Sequence, residues 1–197
     1  MCFSGFISID CGLPLNSNYT EKRTGLNYIS DDPFIDEDTG ESTFLSSTYR
    51  NGYQQQMWYV RSFPKGVRNC YTINVTSGTK YLIGTSFLYG NYDKKDTPPK
   101  FDLYLGANLW DTVNVTDSKD SVGFEIVHVP QQNYIHLCLV KTGSSTPFIS
   151  VIRLRPLNNT HYKTQMGSLA LVDRLDIGNT DEYGYRYVRV LRYSILL

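Results

Sequence analysis

NCYTINVTSGTKYLIGTSFLYGNYDKKDTPPKFDLYLGANLW (69–110) decides the fold class. Side chains on an extended chain alternate between faces, so Tyr71, Ile73 and Val75 share one side and Thr72, Asn74 and Thr76 the other. Ser77, Gly78 and Thr79 make a turn, after which Tyr81, Ile83, Thr85, Phe87 and Tyr89 alternate again. Gly90, Asn91 and the Pro98-Pro99 pair break the chain before a third strand built on Phe101, Leu103 and Leu105. β-Branched and aromatic runs bounded by Gly, Pro and Asn are strand-and-turn signals. Strand, tight turn, strand, loop and strand form the middle of an antiparallel β-sandwich.

Working outward, residues 6–12 form a first strand ended by glycine, and residues 13–40 read as loop. Within that loop, Asp31, Asp32, Asp36, Glu37, Asp38 and Glu41 lack the spacing of a calcium loop and are expected to be a solvated acidic surface. Residues 44–62, with Tyr49, Tyr53, Trp58 and Tyr59, suit one irregular strand and a long connection. Further strands are expected at 111–115, 123–129, 134–140 and 148–154, with Pro156 closing the last. After Pro156 the character changes: residues 167–178 loosely echo residues 7–12 and read as the opening of a second module. The expected division is a β-sandwich over 3–157 and a linker with an incomplete second module over 158–197.

Composition agrees with an all-β chain: of 197 residues, 16 are tyrosine, and alanine occurs only at Ala107 and Ala170. The formal net charge is +0 and no basic block occurs, which argues against nucleic acid as a partner. No run reaches the ~18 apolar residues of a membrane span, and the residues before the first strand do not form a secretory leader of roughly 15 to 30 residues. The 4 cysteines, Cys2, Cys11, Cys70 and Cys138, form no Cys-x-x-Cys pair, so no metal site is expected. Cys70 and Cys138 have similar strand surroundings and are candidates for a disulfide, with free buried thiols as the alternative. Asn18, Asn74, Asn114 and Asn158 head Asn-x-Thr sequons. Asn74 and Asn114 fall on the outward phase of their strands, and Asn18 and Asn158 fall in expected loops, so all four suit glycosylation of an exported domain.

Taken in order, IDCG (9–12), RNCY (68–71), FLYGNYD (87–93), FDLYLG (101–106), Trp110, CLV (138–140) and TPFIS (146–150) resemble the malectin-like ectodomain of plant leucine-rich-repeat receptor kinases. The resemblance covers roughly residues 3–186. It implies a jelly-roll, galactose-binding-like β-sandwich on the extracellular face of the plasma membrane. The leucine-rich repeats, membrane span and kinase of that family do not follow here, so the chain is expected to be a fragment, joined to the membrane only through segments outside it. A non-enzymatic role is implied: binding a cell-wall glycan, or binding a peptide ligand or co-receptor as a protein-interaction module.

No catalytic residues are assigned. There is no Gly-x-Ser-x-Gly elbow or phosphate loop. His128, His136 and His161 lack metal-ligand spacing. A glycosidase needs two carboxylates flanking one bond, but Asp93 and Asp111 read as turn organisers and Asp102 as an outward strand residue. No cofactor is expected. For ligand binding the candidates are Tyr89, Asn91, Tyr92, Asp93 and Trp110, because sugar rings stack on aromatic faces while their hydroxyls need a few polar partners.

Overall fold

A computed structural model describes residues 5–36, 39–158, 162, 168–171 and 193–196. Its strands are β1 (Ile7–Asp10), β2 (Asn18–Thr20), β3 (Asn27–Ser30), β4 (Glu41–Phe44), β5 (Tyr59–Ser62), β6 (Arg68–Asn74), β7 (Tyr81–Leu88) and β8 (Lys100–Leu105). They continue with β9 (Asn108–Asn114), β10 (Ser121–His128), β11 (Tyr134–Lys141), β12 (Phe148–Ile149), β13 (Val151–Pro156), β14 (Ser168–Leu171) and β15 (Tyr193–Leu196). A single helical turn, α1 (Ser47–Arg50), and two 3-10 turns, Asp32–Phe34 and Gln55–Met57, lie between strands.

One layer is an eight-stranded sheet, ordered β15-β14-β10-β7-β13-β1-β3-β2. Facing it are a four-stranded sheet, β6-β11-β8-β9, and a three-stranded sheet, β12-β5-β4. Among the described residues only β1 and β3 run parallel; every other pair is antiparallel. Aromatic rings fill the space between the layers. Phe87 of β7 meets Phe101 of β8 at 5.9 Å between ring centroids and Phe148 of β12 at 6.1 Å. Removing that apolar area from water is the main favourable contribution to the fold.

The phase read for β6 holds: Tyr71 and Ile73 are buried, and Thr72 and Asn74 are exposed. Cys70 and Cys138 sit opposite each other across β6 and β11 and are joined by a disulfide. Cys11 is a buried free thiol, and Cys2 lies outside the described residues.

Three sequence expectations change. Residues 13–40 are not all loop: β2 and β3 lie there and extend the large sheet, which places Asn18 in a strand. The run 148–154 is not one strand. It breaks at the buried Ser150, because β12 pairs with β5 in one layer and β13 with β1 and β7 in the other. Ser150 holds this crossing: its N–H donates to Ser86 O at 3.0 Å, its O accepts from Cys11 N–H at 2.8 Å and its Oγ accepts from Leu88 N–H at 3.1 Å. Nor is Asp31 solvated, and Asp32 is only partly so. Asp31 is fully buried, and both aspartates pair with Arg61. In the tail, β14 pairs with β10 and so continues the first module's sheet; most of the run read as a second module lies outside the described residues.

Candidate functional site

Two polar regions stand out, one sealed and one at the surface. The sealed one gathers residues far apart in sequence. Asp31 accepts from Arg61 Nη2 at 2.7 Å and Nε at 3.0 Å, from Tyr71 Oη at 2.9 Å and from the Gly12 N–H at 3.0 Å. Gly12 is required there: its φ is +87°, and a Cβ would lie 2.6 Å from Val60 O. Burial alone would lower the pKa of the Arg61 guanidinium, but the hydrogen bonds and charge of Asp31 hold it above the ordinary value. Burial, then the Asp31 charge, raises the Tyr71 hydroxyl and the Cys11 thiol. Nearby, burial pushes Asp10 up to about 8 against the hydrogen bond donated by Tyr19 Oη at 2.8 Å. The cluster ties β1, β5, β6 and the 31–34 turn together. It is shut off from solvent and so is structural.

At the surface, the loop 89–97 follows β7. Gly90 anchors it: its φ is +54°, and a Cβ would lie 2.5 Å from Leu45 Cδ1. Asn91, Lys94 and Asp96 also take positive φ, of 50°, 58° and 52°, costly for a lysine above all. Asn91 Nδ2 donates to Asp96 Oδ1 at 2.7 Å, and Asn91 Oδ1 accepts from Asp96 N–H at 3.0 Å. Asp93 accepts from Tyr89 Oη and from the Lys95 N–H. Tyr92 Oη donates to Thr146 O at 2.8 Å, and its ring packs on Phe148 at 5.3 Å. Burial, then the Asp93 charge, raises the Tyr92 hydroxyl.

These contacts sort the sequence candidates. Tyr89 is 0% and Trp110 5% exposed, so both rings belong to the core and offer no stacking face; this corrects their choice as ligand-binding candidates. Tyr89, just past β7, continues the phase of Tyr81, Ile83 and Phe87, which is buried, and Trp110 turns inward in β9 as Val113 does. Asn91, Tyr92 and Asp93 lie together at the rim, half-buried, with their polar atoms turned inward on the loop. Asn18, Asn74, Asn114 and Asn158 are all exposed.

Beside this loop, and joined to it by Asn91 Nδ2 donating to Tyr49 Oη at 3.4 Å, is a ridge that the sequence reading did not single out. Phe44, 49% exposed at the end of β4, packs on Tyr59 of β5 at 4.8 Å. The Arg50 guanidinium lies 4.6 Å from the Phe44 ring and 5.1 Å from the Trp58 ring. Arg50 Nε makes no hydrogen bond among the described residues. A guanidinium stacked between rings keeps its charge while its chain is held in place. The only sequence signal was the density of aromatics in 44–59, which read as an irregular strand. No group of His, Cys, Asp and Glu suited to a metal ion occurs among the described residues.

With this geometry, comparison with known proteins defines the class. Residues 9–189 match the family model for the malectin-like domain. The chain belongs to that family. It is 50% identical, over 93% of its length, to the LRR receptor-like serine/threonine-protein kinase IOS1 of Arabidopsis thaliana. It is 47% identical, over 91% of its length, to a probable LRR receptor-like protein kinase of the same plant. It spans only 20% of either relative. Among solved structures, the ANX1 ectodomain of Arabidopsis thaliana superposes with a TM-score of 0.72 at 10% identity, covering 88% of this chain and 50% of that one. The plant receptor-like kinase FER superposes at 0.70 with 18% identity, covering 86% of this chain and 48% of that one. FER is also known in complex with the peptide RALF23 and LLG2, and that chain superposes at 0.63 with 15% identity, covering 87% of this chain and 48% of that one. At these identities the structural likeness concerns the fold. No helix among the described residues is long and apolar enough to cross a membrane.

Proposed function

We propose that this chain is a ligand-receiving ectodomain module of a plant receptor kinase, and that its ligand is a polypeptide, either a peptide or a co-receptor surface, bound on the ridge of Phe44, Arg50, Trp58 and Tyr59. The observation that carries this is the half-buried Arg50 guanidinium lying over the rings of the exposed Phe44 and of Trp58. Arginine, tryptophan and tyrosine on a preformed surface are the residue types that dominate protein-binding energetics. The inward-turned polar atoms of Asn91, Tyr92 and Asp93 support the same choice, since sugar hydroxyls need polar partners that are not already used. These three residues then shape the rim beside the ridge rather than grip the ligand.

A cell-wall glycan is the second reading, favoured by the open ring face of Phe44. In either case the site of action is outside the plasma membrane. The test is capture of receptor-complex peptides and co-receptors by the secreted chain, run beside a glycan array. Phe44→Ala and Arg50→Ala should each weaken polypeptide capture by about tenfold. Retained capture in both variants, or sugar binding lost in Phe44→Ala with no polypeptide captured, would overturn the polypeptide reading.

A further inference from the structure

Three sequons share a position in the fold. Asn18 lies in β2, an outer strand of the eight-stranded sheet, and Asn74 and Asn114 lie in β6 and β9, the two outer strands of the four-stranded sheet. In an extended strand, residues two apart point the same way. Accordingly Asn18 and Thr20, Asn74 and Thr76, and Asn114 and Thr116 are exposed, while the intervening Tyr19, Val75 and Val115 are turned inward to varying degrees. Both groups that define each sequon face solvent together.

An outer strand presents unpaired N–H and C=O groups that can pair with another chain, and proteins usually defend it with lysine, proline or inward-pointing charge. Here that defence is thin. β6 carries only Arg68 as a charged residue, β9 only Asp111, and β2 none; none contains proline or lysine. β6 and β9 are each 7 residues long, ample for strand pairing. The one register irregularity, at Leu103/Tyr104, touches only the turn end of the β8–β9 ladder. A second feature points to an attached sugar at β6. Tyr134, 40% exposed, stands directly opposite Asn74 and packs on His136 at 4.8 Å, leaving an aromatic surface beside the acceptor amide.

We propose that N-linked glycans on Asn18, Asn74 and Asn114 are edge guards: each stands on an outer strand and sterically bars another chain from adding to it. This rests on the reading of the chain as an exported ectodomain. β4, the outer strand of the three-stranded sheet on the side of the Phe44–Arg50 ridge, carries no sequon; β12 is the sheet's other outer strand. Leu45 N–H donates to Trp58 O at 2.9 Å, which sets the ladder's phase and turns the peptide groups of Ser42 and Phe44 away from β5. The guards therefore stand on three of the outer strands, β2, β6 and β9, and leave the ridge side uncovered; the outer strands β12 and β15 carry no sequon either. Asn158, beyond the inner strand β13, guards no edge.

The test uses the full 197-residue chain, secreted from plant or insect cells behind a heterologous leader. Glycopeptide mass spectrometry reads occupancy at each sequon. The folded protein is then stripped of its glycans enzymatically under native conditions, and light scattering follows its mass across concentration. The triple variant Asn18→Gln, Asn74→Gln, Asn114→Gln gives an independent route, and Asn158→Gln is the control. The expected result is occupied edge sites, with a rise in mass of about twofold or more on stripping as edges pair, and no change for Asn158→Gln. Unoccupied edge sites, or a stripped protein that stays monomeric throughout, would overturn the proposal. Polypeptide capture is scored on the same preparation, so failure of the ridge with guarded edges, or the reverse, separates the two readings.

Discussion

Arg61 and Arg50 lie in neighbouring segments of the chain and do opposite things. Arg61 is buried, forked onto Asp31 with a further contact to Asp32 at 3.2 Å. Arg50 is half-buried over the rings of Phe44 and Trp58, with Nε buried and without a hydrogen bond among the described residues. A guanidinium taken out of water needs a carboxylate to compensate it. One at the surface stays hydrated on its open side and can use its flat face for stacking. The first arrangement holds segments of the fold together; the second joins Arg50 to no carboxylate among the described residues and belongs to the proposed ridge. Charge alone therefore does not distinguish the two arginines; the company each keeps does.

The contrast breaks most readily at Asp31. Asp31→Ala leaves Arg61 charged and buried beside Asp32 alone and should cost about 3–5 kcal/mol in urea unfolding. A loss below about 1 kcal/mol would mean that water already reaches the cluster. Next is the pH response of Asp10. In the unfolded chain it releases its proton near 3.8, whereas folded it keeps the proton to about 8. Across that window the unfolded state binds fewer protons, so this group's contribution to stability falls as pH rises. Asp10→Asn should flatten that slope and stabilise the protein at pH 8 by about 1–3 kcal/mol, measured by thermal unfolding at several pH values.

Smaller effects are expected at the rim. Tyr92→Phe removes the bond to Thr146 O and keeps the ring on Phe148, so it should cost about 0.5–1.5 kcal/mol by the same unfolding measurement. If the loop's role is to support the ridge, polypeptide capture should weaken with it. Smallest for stability is Arg50→Ala, expected within about 0.5 kcal/mol of the parent, although its effect on capture should be the largest. A comparable loss of stability and of binding in Arg50→Ala would show that the ridge is as structural as the Asp31 cluster.

Much of the fold was legible because alternation is a local property. Tyr71, Ile73, Ile135, Leu137 and Leu139 announced their faces from neighbours two residues away, and the structure buries all five. The outward phase of Asn74 and Asn114 was legible for the same reason. The site was less so. Tyr89 and Trp110 resembled ligand-stacking residues, but whether an aromatic ring meets solvent or a second layer depends on what crosses above it. Asp31 looked solvated within an acidic run, since nothing nearby in sequence showed that Arg61 and Tyr71 would enclose it. The crossing at Ser150 was hidden too: 148–154 alternates like one strand, and only its partners on either side divide it.

The sequence by itself determined that this chain is extended and pleated, which residues share a face of β6 and β11, and which family it joins, because each depends on residue type and short-range spacing. Tertiary structure alone decided which charges are sealed, which rings remain open and which strands end a sheet. Those outcomes depend on contacts between segments tens of residues apart, and solvent exposure is a property of the assembled layers rather than of any one stretch of chain.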